Sequence, residues 1–387
     1  MIISFFSNYF NHHQKALCDA FCAYPDTEFH FIETEPMEAF RKDMGWQSQQ
    51  IPSYVLRTYE TDEQMNLARE LARESDIVMI GSAPESFIEE RLLQNKLTFR
   101  YTERPMKEGI VKMFIPRLAK KFYHLHYRNR EKNIYLLAAS AYAASDYKIL
   151  HSYPDKCLKF GYFPAVESCE EAFLMGQKTG RPMKILWTGR FLKLKRADLL
   201  IEAGRKLKEK EIPFQMELVG NGEMEESLKA LVKKYHLEDQ ISFHDFMSPQ
   251  EVRLKMEQAD IYVMTSNFLE GWGAVIYEGL SAGCAVVASH ACGCAPWLVQ
   301  PSVNGFLFQN GSAESLEEKL EFLLKNPEKT HQYGQNAYRM MQVLWNPAVA
   351  AKRLICFSKA CIEGKEMVYK DGPLSKAEVL KNHWYHD

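Results

Sequence analysis

The chain has 387 residues, 46% apolar and 25% charged, which exceeds what one hydrophobic core usually reaches and points to two folded domains rather than disorder or repetition. A formal net charge of -2 argues against nucleic acid as a partner. No apolar run approaches the ~20 residues that span a bilayer, and the opening Met1 to Phe6 is too short for a secretory signal, so the chain is expected in the cytoplasm.

In chain order, the apolar run Ile2 to Phe6 predicts a strand, and the pattern from His13 to Ala23 a helix. Further strands are expected at Glu28 to Ile32, Ile77 to Ile80, Leu97 to Tyr101 and Tyr135 to Ala138, with helices between them, which is the alternation of a parallel sheet. After the polar stretch Glu167 to Arg181 a second cycle begins. Its strands are Lys184 to Thr188, Gln215 to Val219, Ile241 to Phe243, Ile261 to Thr265 and Ala285 to Ala288. Its helices are Ala197 to Lys210, Met224 to Tyr235, Pro249 to Gln258 and Ala274 to Ala282. Beyond Phe308 the chain reads as helical, with breaks at Trp345-Asn346-Pro347 and Gly364. The expected division is residues 1–170 for a first Rossmann-like domain, joined by helices of 350–387, and 171–349 for a second.

Nine scattered cysteines form neither a disulfide framework nor a paired zinc site and read as reduced thiols; Cys292-Gly293-Cys294 lacks a second ligand pair to complete a metal site. No metal ligand set is expected.

The strongest local signal follows the strand at Ile261 and runs from Ser266 to Glu278 into a helix. Gly271 and Gly273 let backbone approach a ligand closely, and N–H groups from Gly271 through Trp272 to Ala274 can hold a phosphate. Glu270 lies in the loop and Glu278 about one turn into the helix, roughly 12 Å apart along the axis at 1.5 Å per residue. That separation is too wide for a shared-proton pair and suits one carboxylate on a sugar and the other on a ribose. By spacing alone the two read equally well as a helix-start acid and a solvated face residue. A second loop, Gly189 to Arg196, holds four cations. Arg190 can fork onto diphosphate oxygens and Lys195 can bring a compact charge to a leaving phosphate, although a basic loop is commonly only solvated. A third, Gly220-Asn221-Gly222, is permissive for a nearby nucleotide but also suits any tight turn.

In this order the segments GRFLKLKR (189–196), LVGNGEM (218–224), FHDFMSPQEV (243–252), EGWGAVIYEGLSAG (270–283) and PSVNGFLF (301–308) resemble the donor domain of glycosyltransferase family 4. These are retaining transferases of GT-B fold, in which two Rossmann-like doubly wound α/β domains face a cleft. The resemblance implies a nucleotide-diphosphate-sugar donor, either UDP- or GDP-linked. It implies Glu270 on donor-sugar hydroxyls, Glu278 on the ribose, Arg190 and Lys195 on the diphosphate, and backbone near Phe246 and Met247 at the base. It also implies retention by front-face attack with no metal or other cofactor.

The first domain resembles the family only in outline. Where the family carries glycines after the first strand, this chain has Ser7 to Gln14, so Asn11, His12 and His13 are acceptor-side candidates, with His13 able to orient a hydroxyl or touch phosphate. Glu103 and Arg104 occupy about the place of a frequent active-site histidine. Lys107 to Lys132, including Lys112, Arg117, Lys120, Lys121 and Arg128, is basic and aromatic and suits either an anionic membrane surface or a solvated helix. The function implied is hexosyl transfer to a glycan or lipid-linked acceptor in surface polysaccharide biosynthesis: capsule, exopolysaccharide or lipopolysaccharide. The alternatives are a GT-B sugar-nucleotide epimerase or phosphorylase, and a nucleotide-sugar-binding module without turnover.

Overall fold

A computed structural model describes residues 1–39, 50–165, 169–179 and 181–386. Glu167 and the side chain of Lys112 lie outside the described residues. The chain divides into two compact units, Met1–Ala165 with Leu344–Leu380 and Val166–Val343 with Lys381–Asp387. The sequence placed these divisions at 170 and 349 and assigned the whole tail to the first domain; in the structure the stretch from Lys381 on belongs to the second unit.

In the first unit β1 (Ile2–Ser7), α1 (His12–Cys22), β2 (Glu28–Glu33), β3 (Val55–Arg57), α2 (Asp62–Glu74), β4 (Ile77–Ile80), α3 (Glu89–Leu93), β5 (Thr98–Thr102), α4 (Pro116–Leu125), β6 (Ile134–Ala138), α5 (Ala143–Ile149) and β7 (Cys157–Lys159) alternate. The seven strands form one parallel sheet in the order β3-β2-β1-β4-β5-β6-β7. A parallel sheet is covered on both faces, so its strands are continuous apolar runs. The rings of Phe5 and Phe10 accordingly meet Phe31 edge-on at 5.1 and 5.0 Å. The helix Pro347–Ile362 packs on α1 within this unit.

The second unit runs α6 (Glu171–Gly176), β8 (Lys184–Thr188), α7 (Ala197–Glu209), β9 (Gln215–Val219), α8 (Glu225–Lys234), β10 (Ile241–His244), α9 (Pro249–Gln258), β11 (Ile261–Met264), α10 (Ala274–Ser281), β12 (Ala285–Ser289), α11 (Ala295–Leu298), β13 (Gly305–Phe308), α12 (Ala313–Lys325) and α13 (Pro327–Val343). Its parallel sheet has the order β10-β9-β8-β11-β12-β13. Ile185, Trp187, Leu218, Val263 and Val287 fill the core beneath α7 and α12. Strand order reverses between β1 and β4 in one unit and between β8 and β11 in the other, and ligands of open α/β sheets bind at the carboxyl ends of the strands flanking such a point.

Sequence reading missed β3, β7 and β13. The first two have three residues each, too few to show a period, and β13 begins at a glycine.

Candidate functional site

The two loops at the reversal point of the second sheet are the basic loop after β8 and the Glu270 loop after β11. They are tied together by hydrogen bonds. The Thr265 hydroxyl donates to the Lys195 carbonyl at 2.6 Å and accepts from Trp187 Nε1 at 2.9 Å, and the Asn267 N–H donates to the Leu194 carbonyl at 2.9 Å. This brings Lys195 Nζ to 2.5 Å from Glu270 Oε2, with 20% and 16% of the two side chains exposed. The resemblance put Glu270 on the donor sugar and Lys195 on the adjoining diphosphate; the structure makes them an ion pair. Arg190, in contrast, is exposed and has no side-chain partner among the described residues. Arg196 stands in left-handed backbone (φ 51°) and forks onto Asp198.

Gly220 and Gly222 have a structural reason beyond ligand access. A Cβ on Gly220 would lie 2.0 Å from the Gly189 carbonyl oxygen, and one on Gly222 would lie 2.8 Å from the Phe191 carbonyl oxygen. Their bareness lets the 189–191 backbone bond across: Gly189 N–H to the Val219 carbonyl at 3.0 Å, Phe191 N–H to the Asn221 carbonyl at 2.7 Å, and Met224 N–H to the Phe191 carbonyl at 2.9 Å. Asn221 Nδ2 donates to Asp245 at 3.2 Å, beside the exposed Phe246 and half-buried Met247.

Gly273 caps α10 in left-handed conformation (φ 90°), which an L side chain adopts only under strain. Among the described residues the N–H groups of Gly273, Ala274 and Val275 find no acceptor, so the helix start keeps the donors that can take an anion. Gly271 and Trp272 are buried, and Trp272 packs on Trp297 at 6.0 Å. Two thiols close the back of this loop: Cys292 Sγ donates to the Ser266 carbonyl at 3.6 Å and Cys294 Sγ to the Gly273 carbonyl at 3.4 Å. Burial pushes both thiols well up, so they stay protonated donors. Sequence reading took the pair as reduced thiols and could not see these carbonyls. All nine cysteines are free, and no cluster of three or more metal-ligating side chains occurs among the described residues.

Glu278 sits on the second turn of α10, half-buried, with no ion-pair partner among the described residues. Burial pushes its carboxyl up to about 7, opposed by the charge of Arg253. Arg253 is itself held by Glu257 at 2.7 Å and by the Ser281 carbonyl at 3.2 Å. The solvated-face reading of Glu278 does not hold.

In the first unit, Asn11 is the cap of α1: it accepts from the His13 N–H at 3.0 Å while Gln14 returns to the Asn11 N–H, a reciprocal capping box. His12 and His13 start the helix with ring centroids 3.8 Å apart. Burial first, and then His12, hold His13 down to about 3, so it is a neutral imidazole at pH 7, suited to orienting a hydroxyl rather than countering phosphate charge. Arg104 is buried and forks onto Asp146 at 2.9 and 3.1 Å, and Asp146 also accepts the Met106 N–H at 2.9 Å. Its guanidinium holds the 104–106 turn to α5. Glu103 accepts the Tyr162 hydroxyl at 3.0 Å and pairs with Lys107. Further along, Ile110, Val111, Phe114 and Ile115 are exposed, Phe114 by 78%. No side chain of α4 is buried. Arg117, Lys120, Lys121 and Arg128 are exposed and unpaired among the described residues. No described helix is long and apolar enough to cross a membrane.

Comparison with known proteins bears on this arrangement. Residues 174–340 match the family described as glycosyl transferases group 1. Over 144 residues the chain is 29% identical to the putative colanic acid biosynthesis glycosyltransferase WcaL of Escherichia coli K12, covering 36% of this chain and 35% of that one. It is 30% identical over 141 residues to the amylovoran biosynthesis glycosyltransferase AmsK of Erwinia amylovora, covering 35% and 34%. The aligned stretch thus spans about a third of the length of these curated relatives. Among solved structures, Anabaena HepE in complex with UDP is similar at a TM-score of 0.66 and 16% identity, over 93% of this chain and 99% of that one; at that identity the likeness concerns the fold. The likeness to group 1 glycosyl transferases is thus carried by residues 174–340, and the chain has the GT-B fold.

Proposed function

We propose that the chain is a retaining glycosyltransferase that moves a hexose-type sugar from a UDP- or GDP-linked donor to a glycan or lipid-linked acceptor in surface polysaccharide biosynthesis. The observation that carries this reading is the coincidence, at the β8/β11 reversal point, of the Lys195–Glu270 pair, an exposed Arg190 and unclaimed N–H groups at the start of α10. Arg190, Lys195 and those amides meet the diphosphate. Glu270 meets sugar hydroxyls and Glu278 the ribose, while backbone near Phe246 and Met247 borders the base. The bond between the anomeric carbon and the diphosphate oxygen breaks, the acceptor oxygen bonds the same face, and the acceptor hydroxyl proton passes to the departing phosphate. The cations and amides offset the developing charge, so no divalent metal is required. The names of WcaL and AmsK support the polysaccharide context, and a HepE complex holding UDP-glucose supports a UDP-sugar donor. Exposed apolar residues beside unpaired cations at 110–128 suit peripheral contact with an anionic inner membrane face.

The test is nucleoside diphosphate release from a panel of UDP- and GDP-sugars, with and without acceptor. Glu270→Ala and Lys195→Ala, if folded, are expected to lose nearly all transfer, and EDTA is expected to leave it unchanged. Near-normal rates in both variants refute the assignment; loss with EDTA and rescue by a divalent ion refute metal independence.

A further inference from the structure

The last described residues, Lys381 to His386, belong to the second unit, and they pack on a residue that the functional reading has not used. His290 follows β12. The Tyr385 ring stacks on its imidazole, with centroids 5.0 Å apart and planes 23° apart, and the Tyr385 hydroxyl donates to the Leu307 carbonyl at 2.7 Å. Trp384 meets the same imidazole edge-on at 6.3 Å. Backbone groups hold both ring nitrogens: Nδ1 lies 3.1 Å from the Asn310 nitrogen and 3.3 Å from the Phe308 carbonyl oxygen, and Nε2 lies 3.4 Å from the Asn382 carbonyl oxygen.

The imidazole also meets the Phe268 ring edge-on, centroids 5.5 Å apart. Phe268 lies inside the turn that sets Glu270: the Glu270 N–H donates to the Asn267 carbonyl at 3.0 Å, and the Leu269 N–H donates to Asn267 Oδ1 at 3.0 Å. A continuous set of ring contacts therefore runs from Tyr385 and Trp384 through His290 to Phe268, two residues before the carboxylate paired with Lys195.

We infer that the 382–385 segment is a positioning element of the donor site: by clamping His290 it fixes Phe268 and hence the turn that presents Glu270 to a nucleoside diphosphate sugar. This rests on the proposal that the Glu270 loop takes such a donor. Tyr385 and Trp384 touch no substrate; they act through His290.

The test uses the full chain, the double variant Trp384→Ala/Tyr385→Ala, and Tyr385→Phe, which keeps the ring. Two quantities are measured: hydrogen exchange at the amides of 268–270 without ligand, and KM and kcat with UDP-glucose and GDP-mannose as donors. The double variant is expected to speed exchange at those amides and to raise donor KM about three- to tenfold, with kcat at saturating donor retained. Tyr385→Phe is expected to behave as the unaltered protein. Unchanged exchange together with unchanged KM in the double variant overturns the inference. If the unaltered protein turns over neither donor nor binds UDP or GDP, the functional proposal fails by itself, and the exchange measurement alone decides whether the segment holds the turn.

Discussion

The Lys195–Glu270 pair permits a quantitative test of how the donor loops are held. At 2.5 Å it is a charge-assisted hydrogen bond, a class worth about 1.5–3 kcal/mol, whereas exposed ion pairs yield about 0.2–1 kcal/mol. With about a fifth of each side chain exposed, solvent screening removes part of the larger figure, and a coupling of about 1–2 kcal/mol is expected. The measurement is a double-mutant cycle of Lys195→Met and Glu270→Gln in the full chain, by urea unfolding followed through the transition that reports the second unit. Trp187, Trp272, Trp297 and Trp384 supply the signal there. Each single variant leaves one half-buried charge uncompensated, so each should destabilise more than half of what the double variant does. A coupling under about 0.3 kcal/mol would show that the pair is an ordinary surface contact and that the backbone bonds from Thr265 and Asn267 alone hold the loops.

Three further outcomes follow from particular contacts. Glu278, raised from an ordinary 4.5 to about 7, binds its proton more tightly when folded, so its contribution is fully present below pH 4.5 and is lost as pH rises through 7. Glu278→Gln should therefore be more stable than the unaltered chain by about 2 kcal/mol at pH 8, with the gap closing toward pH 4.5; a pH-independent difference in melting would refute this. Gly220→Ala, whose methyl would meet the Gly189 carbonyl at 2.0 Å, should cost about 3 kcal/mol or more, while Gly311→Ala, also at positive φ but in open space, should cost only about 1 kcal/mol; equal costs in chemical denaturation would refute the close-approach argument. Arg104→Ala should lose about 3–5 kcal/mol of stability by stranding Asp146, whereas Arg190→Ala should leave stability within about 0.5 kcal/mol and weaken donor binding about tenfold or more; unfolding and calorimetric titration with UDP separate the two, and reversed behaviour would exchange their roles.

The second unit was legible in the sequence because its chemistry lies in short stretches at strand ends. The strand Lys184–Thr188 and helix Pro249–Gln258 were readable to the residue, since an apolar run bounded by charge and a Ser-Pro start with Glu251 are local signals. Contacts between loops far apart in sequence were not legible. Lys195 and Glu270 are separated by 75 positions, and no period in either segment reports that they pair. The same holds for Arg104, whose place after the strand suggested a site while its partner Asp146 sits 42 residues on, and for His290, whose neighbours come from β13 and the 382–385 segment. Glycine at 220 and 222 was read as permissive for a nucleotide and as equally suited to a tight turn; the close approach of the Gly189 and Phe191 backbone is a further reason for them that only the assembled sheet reveals.

Charge balance at the reversal point follows from these pairings. Of the four cations in the basic loop, Arg196 is neutralised by Asp198 and Lys195 by Glu270, which leaves Arg190 and Lys193 without a carboxylate among the described residues. A diphosphate bridging a sugar and a nucleoside carries two negative charges, which this excess would match in the proposed donor complex. The amides at the start of α10 add partial positive charge without a titratable group. With the proposed donor bound, Lys195 would have two competing anions in reach, the carboxylate and the phosphate. Its movement toward the phosphate would then free Glu270 to accept hydroxyl hydrogen bonds, so that one side chain would couple charge stabilisation on the leaving group to the grip on the sugar. Removing Glu270 alone should therefore leave nucleoside diphosphate binding near its original strength while abolishing transfer, a separation that independent contacts on sugar and phosphate would also allow. Removing Lys195 distinguishes the two arrangements, because a coupled pair loses sugar recognition as well as phosphate affinity, and independent contacts lose only the phosphate.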